Sequence, residues 1–142
     1  MTCTSFIVRA LLLLATTLAA PATITAQDTT STPAAVAAQQ VDIGEQWFRA
    51  RCLECHAVGA LSNADFRLKW AGKNAFELVE QIRKTMPEDA PGGLTGPTYV
   101  SIVAYLIRQN GMPVGTALPS DSAGLAGIRL TFPASATSSP KR

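Results

Sequence analysis

Seven of the nine aromatic side chains lie between Trp47 and Tyr105, while residues 7–46 and 106–131 contain none. Aromatic residues carry the largest apolar surfaces a core can bury. Their confinement therefore limits the chain to one compact domain of about seventy residues, flanked by segments that cannot build a core of their own. A domain of that size buries little surface and ordinarily needs a disulfide, a metal or a bound cofactor as a staple. Three cysteines and one histidine among 142 residues are the side chains able to provide one.

The ends read differently from the middle. Arg9 precedes an apolar stretch from Ala10 to Ala20, followed by Pro21-Ala22-Thr23-Ile24-Thr25-Ala26, the pattern of a secretory signal peptide occupying residues 1–26. Cleavage is expected after Ala26, with Ala20 as the other candidate site. A bilayer span takes roughly 20 apolar residues, and Pro21 with the neighbouring threonines interrupts this stretch. Attachment to a membrane is therefore expected only if the segment is retained. Residues 27–40, rich in Thr, Ala, Gln and Pro, read as a flexible lead-in. From Met112 onward the chain turns to Pro, Gly, Ser, Thr and Ala, and only Ile128-Arg129-Leu130-Thr131-Phe132 alternates in a way that suggests an extended segment packed on the domain.

Charge narrows the partners. The formal net charge is +2, and loss of Arg9 with the signal segment leaves eleven cations against ten anions. No polybasic run supports nucleic-acid binding, and no P-loop, GxGxxG, HExxH or GxSxG is present. One histidine without an acidic cluster argues against hydrolytic metal chemistry.

The core region reads as all-α. Asp42 with Glu45 has capping-box spacing and opens a helix carrying Gly44, Trp47 and Phe48 toward Arg51–Cys55. Asn74 with Glu77 opens a second, on which Phe76, Val79 and Ile82 recur at helical spacing until Pro87. Thr95 caps a third, with Pro97 in its first turn, Tyr99, Ile102, Val103 and Leu106 as its apolar stripe, and Gly111 as its stop. Loops are expected at 57–73 and 86–94.

Cys52-Leu53-Glu54-Cys55-His56 is the CxxCH pattern of covalent haem c attachment. Two cysteines three apart at a helix end can reach both vinyl groups on one porphyrin edge, and the next residue brings an imidazole to the iron from the same side. A redox-active dithiol belongs after a strand, and none precedes Cys52. A structural zinc site needs four ligands where this chain offers three. With His56 as proximal ligand, no second histidine remains for the opposite face, so the sixth ligand is sought among the methionines. Met86 lies just past the second helix, beside Pro87 and before Pro91-Gly92-Gly93, and is the expected ligand. Met112 is the other candidate, and either methionine can instead fill an apolar gap.

These motifs resemble the class I cytochromes c, in detail the monohaem cytochromes that act as subunits or partners of bacterial quinoprotein dehydrogenases. The likeness rests on Gly44 with Phe48, the CxxCH at 52–56, Phe66 and Trp70, Thr85-Met86-Pro87 with Pro91-Gly92-Gly93-Leu94, Tyr99, Val103-Ala104-Tyr105-Leu106 and Asn110-Gly111-Met112-Pro113-Val114-Gly115. It spans residues 41–118 and leaves 119–142 as an irregular tail. The resemblance implies a small cytochrome c fold of three main helices around one haem. In that fold the first and last helices cross closely at Gly44, and Phe48 meets the Ile102–Tyr105 face. One departure is that the segment 57–73 is short and lacks the proline that often follows the motif and whose carbonyl receives the proximal imidazole N–H. Trp70 is read either as a haem-propionate contact or as a core residue.

The expected function is one-electron transfer in the periplasm, from a dehydrogenase such as a quinoprotein to a terminal oxidase or another cytochrome. An alternative is a haem sensor or peroxidase-like enzyme in which Met86 is labile. Arg49, Arg51, Arg83 and Lys84 form either a local docking patch or ordinary solvated helix faces, the second being expected.

Overall fold

A computed structural model describes residues 31–133. The signal segment 1–26 lies outside the described residues, as do 27–30 and 134–142. Five helices follow in order: α1 (Pro33–Arg51), α2 (Ala64–Trp70), α3 (Ala75–Thr85), α4 (Gly96–Gln109) and α5 (Ser122–Ala126), with a short 3-10 turn at Val58–Leu61. No strand occurs among the described residues; the one bridge is an isolated antiparallel pair, Asn74 with Arg129. The architecture is all-α, as the sequence implies, and no described helix is long and apolar enough to cross a membrane.

The start of α1 corrects the expected boundary. The helix begins at Pro33, where Thr32 accepts a hydrogen bond from the Ala35 amide at 3.2 Å and the proline occupies the first turn. Asp42 and Glu45 are therefore interior residues of α1. Glu45 pairs with Arg49 one turn on, at 2.7 Å. The run of Ala, Val and Gln before Val41 is helical because Ala37 and Val41 are buried, so packing overrides a composition that reads as a linker. Both signals proposed for α3 and α4 are present. Asn74 and Glu77 form a reciprocal capping box at 2.9 and 2.8 Å, and Thr95 caps the Thr98 amide of α4.

α1 lies across α4, and the contact is set by Gly44. A Cβ at this position would lie 2.5 Å from the carbonyl carbon of Ser101 and 3.0 Å from Cβ of Tyr105, so only hydrogen allows the two backbones to approach this closely. One turn on, Phe48 meets Tyr105 with ring centroids 5.4 Å apart. Every residue of α4 from Thr98 to Ile107 is buried, which makes it the central element rather than a helix with one buried stripe. Gly111, at φ +85°, ends it in a conformation that costs glycine little.

The tail is part of the core. Leu118, Leu125 and Leu130 are buried, and α5 packs against α3. Gln40 holds the Leu118 backbone from both sides, at 3.0 and 2.8 Å. The extended segment expected at 128–132 is present: the Leu130 amide donates to Lys73, its carbonyl accepts from Gly72, and Phe132 packs edge-on against Phe66 at 6.1 Å. The loop expected at 57–73 contains α2, capped by Asn63.

Candidate haem site

The CxxCH segment is a single turn hung on the end of α1. The Cys52 and Leu53 amides donate back to the Phe48 carbonyl, and the Cys52 carbonyl then accepts from Cys55 at 3.2 Å and from His56 at 2.8 Å. Two hydrogen bonds to one oxygen close the turn and keep Cys52, Cys55 and His56 together. Both cysteines are free thiols. Cys55 is exposed, whereas Cys52 and His56 are half-buried. Burial pushes the Cys52 thiol above its ordinary pKa, with Arg51 opposing weakly. A helix precedes this motif where a thioredoxin-like dithiol follows a strand. Among the described residues no three His, Cys, Asp or Glu side chains converge as metal ligands.

Met86 is placed from the other side of the domain. It is the C-cap of α3, with its amide bonded to the Ile82 carbonyl at 2.7 Å. Its own carbonyl accepts from the buried hydroxyl of Tyr99 at 2.9 Å. The loop that follows turns twice, with Ala90 bonded back to Pro87 and Gly93 back to Ala90. The Met86 side chain is half-buried.

These two segments meet. Arg51, next to Cys52, pairs with Asp89 of the Met86 loop at 3.1 Å. Beside that pair opens a cleft of about 290 Å³ lined by Trp47, Arg51, Pro87, Ala90, Gly93 and Leu94. Met112 lines a different cavity, of about 140 Å³, formed with Ile107, Val114, Leu118 and Ile128 and touching neither the motif nor the loop. It is half-buried against the core and fills space there.

Trp70 is buried at the end of α2, stacked near Phe66 at 6.4 Å and overlain by Lys69 and Lys73 at 5.5 and 5.8 Å from its ring. Core packing is thus one established role for it. The four cations named from sequence all carry acidic partners: Arg49 with Glu45, Arg51 with Asp89, and Arg83 and Lys84 with Glu80. Tyr99 and Asn110 carry roles that sequence reading missed. Tyr99 reads from sequence as one residue of an apolar stripe and of the family resemblance, with no partner for its hydroxyl. Asn110 is buried and donates to the carbonyls of Leu61 and Leu106, both at 2.9 Å, tying the end of α4 to the segment that follows His56. A buried amide beside the stop glycine Gly111 is the only sequence signal for it.

The donor set suits a covalently attached haem: two unpaired thiols and an imidazole on one turn, and a thioether on the loop that Arg51 holds through Asp89. The apolar residues of the flanking segments, Cys52, Val58, Leu61, Ile82 and Leu94, pack on the core yet stay only partly covered, leaving apolar surface for a macrocycle to bury. Residues 39–106 match the model of the family described as cytochrome c oxidase, cbb3-type, subunit III. The match supports a c-type cytochrome domain over this part of the chain. The match covers a little under half of the 142 residues, from the middle of α1 almost to the end of α4, and takes in both the CxxCH turn and the Met86 loop. No curated protein and no solved structure matches the chain. The cytochrome domain implies a covalently bound haem c and a role in haem-based electron transfer.

Proposed function

We propose that this cytochrome is a periplasmic one-electron carrier in which Cys52 and Cys55 hold the haem by thioether links and His56 and Met86 are its axial ligands. Bound in this way, the haem supplies an iron that alternates between two oxidation states, and a thioether ligand raises its potential relative to two imidazoles. The observation that carries the reading is the junction between the motif and the loop, where Arg51 meets Asp89 and the cleft opens between Trp47 and Pro87. It ties Arg51, at the start of the CxxCH turn, to Asp89, three residues after Met86, and this supports reading His56 and Met86 as a pair.

The chain's own part in the transfer is to keep its geometry fixed. The turn closed on the Cys52 carbonyl holds the imidazole, and the bonds on either side of Met86 hold the thioether. Little has to move when the charge changes. The same fixity argues against the alternative of a sensor or peroxidase-like enzyme, which needs an iron position vacated by Met86. Electrons are proposed to come from a dehydrogenase, a quinoprotein in the likeness drawn from sequence, and to pass to a terminal oxidase or another cytochrome. Export rests on the apolar segment Ala10–Ala20. Trp70, with its ring at the end of α2, is proposed to approach a propionate in addition to its packing role.

The test is Met86→Ala in the haem-loaded protein. The oxidised wild type is expected to show the weak far-red charge-transfer band of a thioether–iron bond, and the variant is expected to lose it and to have a lower potential. A band that survives the substitution, or carbon monoxide binding by the reduced wild type without displacement of a ligand, overturns the assignment.

A further inference from the structure

Both ends of the loop that carries Met86 hang on one oxygen atom. The hydroxyl of Tyr99 donates to the Met86 carbonyl at 2.9 Å and accepts from the Leu94 amide at 3.3 Å. The Tyr99 side chain is fully buried at the first turn of the central helix α4. We propose that Tyr99 is the positioning residue of Met86, fixing where the thioether starts and thereby how firmly it holds the iron. This rests on the reading of Met86 as an axial ligand.

Methionine has three freely rotating side-chain bonds and cannot orient itself, so its placement has to come from its backbone. The peptide group before Met86 is bonded to α3 through the Ile82 carbonyl at 2.7 Å, and the peptide group after it is bonded to Tyr99. The Cα between them is held from both sides. The remaining ties are weaker in this respect. The bonds from Ala90 to Pro87 and from Gly93 to Ala90 shape the loop without fastening it to the body. The Arg51–Asp89 pair does fasten it, but Asp89 is 72% exposed and such pairs contribute little. The buried hydroxyl is the remaining anchor, and its loss leaves a part-buried carbonyl and amide without their partners, each a costly state.

The test uses the full haem-loaded chain and four proteins: wild type, Y99F, Y105F and M86A. Tyr105 lies on the same helix and packs on Phe48, so Y105F removes the same hydroxyl group away from the loop. Imidazole is titrated into the oxidised proteins while the far-red band is followed, and exchange of the Leu94 amide is measured in the wild type, Y99F and Y105F. Y99F is expected to bind imidazole about tenfold more tightly and to exchange the Leu94 amide about tenfold faster, each readout reporting the loss of one of the two hydrogen bonds that the hydroxyl makes; Y105F matches the wild type in both. Equal behaviour of Y99F and wild type, or an equal effect from Y105F, overturns the role of Tyr99 while leaving the ligand assignment intact. A band that persists in M86A overturns the ligand assignment and with it any role of Tyr99 toward the iron. In the wild type alone, a Leu94 amide that exchanges as fast as an open loop overturns the tether, however well Y99F folds.

Discussion

Gly44→Ala separates two opposing expectations. On helix propensity alone, alanine in the middle of α1 stabilises by about 1 kcal/mol. At this position, however, the new methyl group lies 2.5 Å from the Ser101 carbonyl carbon, and ordinary contact begins at 3.4 Å, so α1 and α4 must part by about 1 Å. Close-packed groups separated by that much lose a quarter to a half of their attraction. The buried side chains along this face of α1 and opposite it, Val41, Phe48 and Tyr105, are each worth about 1.5–3 kcal/mol in burial, so the gap costs about 3 kcal/mol. Against the propensity gain, the net loss is about 2 kcal/mol, or a midpoint lower by about 10–15 °C for a domain of this size. Thermal unfolding of the haem-loaded variant, followed by far-ultraviolet circular dichroism, measures it. Gly96→Ala serves as the reference, because a Cβ there meets nothing within 4 Å, and its midpoint is expected to stay within about 3 °C of wild type. A Gly44→Ala protein as stable as wild type would refute the close approach of α1 and α4.

Two further outcomes follow from charge. Hydrogen bonds from Arg83, reinforced by Lys84, hold the Glu80 carboxyl at about 2 against an ordinary 4.5. A carboxyl depressed in the folded state adds stability above its unfolded value and loses it as the pH falls from about 4.5 to about 2. Solvent around the cations limits the amount to about 1 kcal/mol or less, and Glu80→Gln should flatten that part of the acid limb in denaturant titrations; an unchanged limb refutes the pairing. Because all four cations near the site carry acidic partners, transfer rates to a candidate dehydrogenase are expected to change by less than about tenfold between low and physiological salt, where strongly steered pairs change by 10–10³. A steeper fall would show an unpaired basic face.

The α3 and α4 boundaries were legible because their signals are local: Asn74 and Glu77 bond within one turn, and Thr95 reaches only Thr98. The start of α1 was not, because its local signal, the Thr32 cap with Pro33 in the first turn, sits inside a linker-like composition. What makes 33–40 helical is burial of Ala37 and Val41 and the bonds from Gln40 to Leu118, 78 residues away. α5 and Leu130 were hidden for the same reason. In the site, the CxxCH spacing is a local signal complete within five residues, and Met86 is proposed because the chain has a single histidine. The tether from Tyr99 was not legible, since a tyrosine in an apolar stripe looks the same whether or not its hydroxyl has a partner.

Leu130, near the end of the described residues, is fully buried, and this bears on the order of events as the polypeptide is made. Synthesis delivers Cys52 and Cys55 long before the segment that seals the core. Until Leu118, Leu125 and Leu130 arrive, the partly covered apolar surface beside the two thiols has no complete domain behind it. The late closure gives an attachment apparatus a window in which both sulfurs are reachable, and a tail that docked early would shorten that window. Trimming the tail back to residue 118 should therefore leave haem attachment intact while weakening what holds the domain afterwards.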